Sequence, residues 1–267
     1  MRILLAQLAP RLGNVPANVD RLRTVLASTP SDLAIFPELF LSGYRVGDRF
    51  HELALTVGHP VLEDLVAAAR EWKGALLFGA PWTSSDRPGE LWNAAVLVTA
   101  TGSVTWQVKR YLPNYGPFEE AVFFTPTSES RPLVLGPHRL GVEICYDAFF
   151  PEVARTLALK GAEMLVNISA SPVTSRRLFE RVLPARAIEN GLPVVYVNRV
   201  GVEDGVVFGG GSVVLDPRGE PQALDMVSVP GLTPEEKVWA GELDLADVGR
   251  WRPFRPVLRD VATRPPP

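Results

Sequence analysis

The sequence predicts an α/β protein whose mixed sheets carry helices on their outer faces. Three observations lead there. Short apolar runs alternate along the chain with amphipathic helical patterns. Two pairs of strand-like runs are joined by tight turns, at Thr101-Gly102 and at Pro217-Arg218-Gly219, which a purely parallel doubly wound sheet would lack. The composition, 46% hydrophobic and 21% charged over 267 residues, is that of an ordinary soluble globular protein.

The strand candidates, in order, are 2–8 (RILLAQL), 33–36, 75–80, 94–100, 103–109, 140–145, 164–169, 193–198, 211–216 and 238–244. Helical patterns fill 18–28, 60–72, 151–161 and 179–191. Pro60 and Pro151 suit first helical turns, and Gly161 and Gly191 suit the position after a last one. Pro184 is expected to start, bend or break the fourth helix. The proline-rich tail from about residue 252 is expected to be irregular. No composition shift or repeat divides the chain, so residues 1–267 are read as one domain.

A formal net charge of −3 and a pI near 5.7 give no basic surface for nucleic acid or anionic membrane. No apolar run approaches the roughly 18 residues that span a bilayer, and MRILLAQLAP is too short for a signal peptide core. One cysteine excludes an internal disulfide framework, and the expected compartment is a reducing cytoplasm.

That cysteine, Cys145, follows an apolar strand and precedes a helix-starting proline. Alone it reads as a small core hydrophobe at least as readily as a nucleophile. Glu38 directly follows the strand 33–36 and Pro37, where a desolvated carboxylate must be paired or functional. Lys109 ends an alternating strand ahead of a Pro/Asn/Gly loop, and its ordinary reading is a snorkelling surface lysine.

Together, the blocks around these residues carry a family resemblance. FPE at 36–38, KRYLPNYGPFEE at 109–120 and GVEICYDAFFPE at 141–152 resemble, in order and spacing, the signature blocks of the nitrilase, or carbon–nitrogen hydrolase, superfamily. LVNISASP, RAIENGLPVVYVNRVG and GGGSVVLDPRGE extend the resemblance to about residue 250. It implies a four-layer α-β-β-α sandwich with two mixed sheets, and catalytic residues Glu38, Lys109 and Cys145. The family's additional active-site glutamate falls at Glu120, with Glu119 as the competing assignment. The family commonly dimerises, so a homodimer or higher homo-oligomer is expected from the resemblance alone.

The chemistry agrees with those roles. A thiol of pKa about 8.5 is mostly protonated at neutral pH, and a neighbouring carboxylate, Glu38, can take its proton. Lys109, with the Tyr146 backbone N–H, can face the oxyanion that forms on an attacked amide. No metal or organic cofactor is required. A Cys–His pair drawn from His51, His59 or His138 lacks a recognisable signature, and the scattered histidines offer no metal-ligand spacing.

For substrate, YLPNYGPFEE and VNRVGVEDGVVFGGGS are similar to the glutaminase domain of glutamine-dependent NAD synthetases. The corresponding substrate contacts are Tyr115, Phe118, Ser171 and Arg177. Tyr146, where that group usually has an acidic residue, is similar instead to free-standing amidases, ω-amidases and N-carbamoyl amino-acid hydrolases. The expected partner is a small-molecule amide. A free-standing glutaminase, an N-carbamoyl hydrolase and an inactive structural relative are the alternatives.

Overall fold

The computed structural model describes residues 1–263. The first half runs β1 (Arg2–Gln7), α1 (Val15–Leu26), β2 (Leu33–Ile35), α2 (Pro60–Trp72), β3 (Ala75–Trp82), β4 (Trp92–Val98), β5 (Val104–Val108) and α3 (Glu120–Phe123). The second continues β6 (Leu133–Leu135), β7 (His138–Ile144), α4 (Pro151–Leu159), β8 (Met164–Ser169), α5 (Arg176–Asn190), β9 (Val194–Asn198), β10 (Val200–Glu203) and β11 (Val206–Gly209). It ends with β12 (Val213–Leu215), β13 (Asp225–Val227), β14 (Lys237–Glu242), α6 (Ala246–Phe254) and α7 (Val257–Thr263).

Among the described residues the strands form a seven-stranded sheet, β13-β14-β1-β2-β3-β4-β5, and a five-stranded one, β12-β9-β8-β7-β6, with β10 and β11 as a separate hairpin. Both large sheets are mixed: β1-β2-β3 and β7-β8-β9 are parallel, and the strands towards the edges are antiparallel.

Strand alternation builds the layers. Leu4, Ala6, Ala34, Leu76 and Phe78 pack with α1 and α2 in one apolar cluster. The intervening Ile3, Leu5, Leu33, Ile35 and Leu77 turn the other way and join a second cluster containing the β7–β9 sheet and the inner faces of α4 and α5. The result is the expected α-β-β-α sandwich. Central strands buried on both faces read as unbroken apolar runs, which is why LAI and MLVNIS were legible as strands.

The helix starts follow their prolines: Pro60 and Pro151 occupy the first turns of α2 and α4, and Gly191, at φ +60°, ends α5. Three expectations need correction. Of the expected start, bend or break at Pro184, the start and the break do not occur: α5 begins at Arg176 and runs to Asn190 through Pro184. Its missing N–H would have met the carbonyl of Glu180, an exposed residue where water can replace it. The turn at Pro217-Arg218-Gly219 closes with one bridge, Leu215 to Pro221, flanked by the Asp216 N–H on the Glu220 carbonyl at 2.9 Å and the Gln222 N–H on the Val214 carbonyl at 2.8 Å, rather than with a full strand pair. The tail is helical rather than irregular as far as residue 263: Pro253 lies inside α6, Pro256 precedes α7, and α7 packs on α4 and α5. The remaining tail residues, 264–267, lie outside the described residues.

Candidate active site

The four ionisable residues singled out by sequence converge at the strand ends between the two sheets. Glu38, just beyond β2, and Lys109, just beyond β5, are wholly buried. Lys109 Nζ donates to Glu38 Oε1 at 2.7 Å and to Glu120 Oε1 at 2.6 Å. Glu120 is buried at the start of α3 and Glu119 is exposed, so the cluster contains Glu120. Cys145 sits at the end of β7, 8% exposed.

Close backbone packing places Glu38. Leu39, next to it, adopts φ +48°, and the turn lies directly against Gly79 of β3. A Cβ on Gly79 would stand 2.2 Å from the Leu39 nitrogen, so only glycine lets the two segments approach. Glu38 Oε2 then accepts the Ala170 N–H at 2.7 Å, and Oε1 accepts Asn93 Nδ2 at 2.8 Å. Asn93 also reaches Glu120 Oε2 at 3.4 Å and so bridges the two carboxylates.

Cys145 has φ +48°, a left-handed conformation that costs a non-glycine residue about 1–2 kcal/mol. Asp147 holds that turn. Its Oδ2 accepts the Ile144 N–H at 3.1 Å, and its Oδ1 accepts the N–H groups of Arg110 at 3.1 Å and Tyr111 at 2.8 Å. One buried carboxylate therefore joins the residue before Cys145 to those after Lys109. Asn167 Nδ2 donates to the Cys145 carbonyl at 3.3 Å, with its Oδ1 accepting from Ser169 Oγ at 2.7 Å.

Electrostatics divides the cluster. Burial alone would lower Lys109, but Glu120 and Glu38 more than reverse it and hold the ammonium charged. Burial, with Glu38 beside it, pushes the Cys145 thiol up against the opposing pull of Lys109. Burial also pushes Glu120 up, Lys109 opposes it, and Glu38 adds to it. The resting arrangement is thus a protonated thiol next to carboxylates and one fixed cation. It can accept a proton from sulfur and present positive charge to a developing anion.

Aromatic side chains surround the sulfur. Tyr146, next to Cys145, lies 5.4 Å from Tyr115, which lies 5.7 Å from Phe118. Tyr115 is half-exposed, and burial, with Tyr146 and Cys145 beside it and against the pull of Lys109, raises its hydroxyl to about 12. Ser171 is buried, its backbone tied to Asn198, and its side chain meets the Tyr196 hydroxyl. Arg177 is exposed on the first turn of α5. The neighbouring Arg176, paired with Glu180 at 3.0 Å, lines the adjoining cavity of about 450 Å³ with Tyr196 and Phe179.

Asn93, Tyr44 and Asp147 contact this cluster and were given no role from sequence. Asn93, a polar residue inside the apolar run WNAAVLV, was the one signal available. Among the described residues no group of His, Cys, Asp and Glu could hold a metal ion, and no helix is long and apolar enough to cross a membrane.

The carbon–nitrogen hydrolase family profile matches residues 2–253. A glutamine-dependent NAD(+) synthetase of Rhodobacter capsulatus is 37% identical over 82% of this chain, which spans 40% of that protein. An (R)-stereoselective amidase of a Pseudomonas species is 34% identical, over 82% of this chain and 78% of its own. A variant of the amidase from Nesterenkonia sp. AN1, solved with butyramide, superposes with TM-score 0.76 at 28% identity, covering 95% of each chain.

Proposed function

The chain belongs to the carbon–nitrogen hydrolase family, and we propose that it hydrolyses the C–N bond of a small amide through a thioester on Cys145. The observation that carries this reading is the buried cluster, in which Lys109 bridges Glu38 and Glu120 beside the thiol. The likeness to the (R)-stereoselective amidase and to the butyramide-bound amidase supports amide as the substrate class.

Glu38 takes the Cys145 proton as sulfur attacks the carbonyl carbon, and the C=O electron pair moves to oxygen. Lys109 and the Tyr146 N–H stabilise that oxyanion. The oxyanion collapses, the C–N bond breaks, and Glu38 returns its proton to the leaving ammonia or amine. Water then attacks the thioester, again giving a proton to Glu38, and the second collapse releases the acid and restores the thiol with that proton. No step calls for a cofactor.

The glutaminase alternative draws on the likeness to the NAD(+) synthetase. Two observations favour the simple amide: Tyr146 offers no charge for an α-amino group, and Arg177 is exposed on the first turn of α5. A cytoplasmic, homodimeric enzyme remains the accompanying proposal. The test is ammonia release from short aliphatic amides, ω-amides, N-carbamoyl amino acids, nitriles and glutamine, with Cys145→Ser as control. Turnover of amides that is absent in Cys145→Ser is expected; equal turnover by that variant would remove Cys145 as nucleophile.

A further inference from the structure

We infer that Tyr44 is a positioning residue of this site, held in place by Glu203 and fixing Glu120 against Lys109. The inference rests on the hydrolase reading and adds two residues, Tyr44 in contact with the cluster through Glu120 and Glu203 behind it. Three sets of contacts carry it. The Tyr44 hydroxyl donates to Glu120 Oε1 at 2.5 Å, the oxygen that also takes Lys109. Glu203, at the end of β10, accepts the backbone N–H groups of Tyr44 at 2.9 Å and Arg45 at 3.0 Å through Oε2. The Tyr44 ring meets Phe118 and Phe208 edge-on at 6.1 and 6.0 Å, which leaves its hydroxyl one direction to point.

Glu203 is itself anchored. Its Oε1 lies 2.6 Å from Arg199 Nη1, and the Arg199 guanidinium lies 4.0 Å over the Phe208 ring. Both charged residues are buried. Removing one partner of such a pair leaves an uncompensated buried charge. Gly43 allows the approach: at φ +79°, a Cβ there would lie 3.0 Å from Glu203 Oε1 and 2.8 Å from the Leu12 side chain.

The consequence concerns the charge on Glu120. On its inner side Glu120 faces Lys109, Glu38 and the Cys145 thiol. On its outer side a cavity of about 190 Å³ is lined by Glu119, Arg45 and Asp204, the last two paired at 2.7 Å. Burial and Glu38 favour the protonated acid, whereas Lys109 and the Tyr44 hydroxyl favour the carboxylate. Without the hydroxyl, Glu120 takes up a proton at a higher pH. Once neutral it no longer shares Lys109, whose charge then falls on Glu38 alone. The β10–β11 hairpin thus reaches the proposed base through Glu203, Tyr44, Glu120 and Lys109.

The test uses Tyr44→Phe and Glu203→Gln in the full chain, with two readouts. One is the pH profile of kcat and KM for a short amide; the other is the pH dependence of Cys145 alkylation by iodoacetamide. In Tyr44→Phe the acid limb of kcat should move up by about one pH unit, a tenfold loss on that limb, because a hydrogen bond to a charged acceptor is worth roughly that much. KM should stay within about twofold, since the hydroxyl is turned from substrate to Glu120. Glu203→Gln should move the limb the same way by less. A folded Tyr44→Phe protein whose acid limb and alkylation profile both coincide with wild type would reduce Tyr44 to packing and overturn the inference. An unmoved limb in Glu203→Gln would detach the hairpin from the site. If the wild-type chain turned over no amide, the hydrolase reading would fail, and the alkylation profile would still report the link from Tyr44 to Glu120.

Discussion

Replacing Gly79 by alanine perturbs the site from a strand that contributes none of its chemistry. The new Cβ would fall 2.2 Å from the Leu39 nitrogen and 2.6 Å from the Glu38 Cα, whereas real Cβ contacts essentially never come under 3.0 Å. Both obstructing atoms are backbone, so no side-chain rotation relieves the clash, and the segments must part by about 0.8 Å. That shift carries the Glu38 carboxylate away from Lys109 Nζ at 2.7 Å, Asn93 Nδ2 at 2.8 Å and the Ala170 N–H at 2.7 Å. A displacement near 1 Å in a reacting constellation can cost about 10²-fold in rate, or about 2.7 kcal/mol of barrier. Overpacking should also cost roughly 1–3 kcal/mol of stability. The assay is kcat/KM for a short amide, normalised to folded protein, with thermal unfolding measured on the same samples. A Gly79→Ala enzyme with wild-type kcat/KM and an unchanged Tm would refute the argument that close approach at Gly79 places Glu38.

Two further outcomes follow from the buried charges. Among the described residues Glu143, wholly buried on β7, has no hydrogen-bond partner for either oxygen; burial, with Asp147 nearby and against the pull of Arg186, pushes it up to about 8. A folded value above the unfolded one gives stability that is fully present below about pH 4.5 and lost as pH rises through about 8. Glu143→Gln lacks that dependence, so thermal unfolding from pH 5 to 9 should show wild type losing about 2–4 kcal/mol relative to the variant; parallel curves would count against it. Asp147, raised to about 6 by burial, has the same sign and is common to both proteins. Asn93→Asp would set a third carboxylate 2.8 Å from Glu38 Oε1. Its kcat/KM should fall about 10²-fold at pH 8 and recover in part towards acid, where a protonated Asp can donate as Asn93 does; a pH-independent loss would contradict this.

Much of the fold was legible in local pattern. The periodicity of PVLEDLVAAAREW gave α2 its observed bounds, and MLVNIS gave β8, because burial on one stripe or on two faces leaves a direct imprint on composition. The β10–β11 hairpin was missed although Asp204-Gly205, with φ +46° and +74°, is a strong turn signal, since its strands are short and partly exposed. The tail was misread because prolines that suit helix ends resemble those of irregular chain when no packing partner is known.

Residue order alone supplied an inventory: one thiol, a glutamate and a lysine at strand ends, and a short list of glutamates beside them. Tertiary structure decided which of those charges lose their water and which groups replace it. Lys109 meets Glu38 across 71 residues, the Ala170 N–H meets Glu38 across 132, and Glu203 holds the Tyr44 backbone across 159. Local sequence does not encode such pairings, because they arise only when two sheets pack and bring distant strand ends together. Glu120 and Glu119 are adjacent and chemically identical; burial against Lys109 alone separates them.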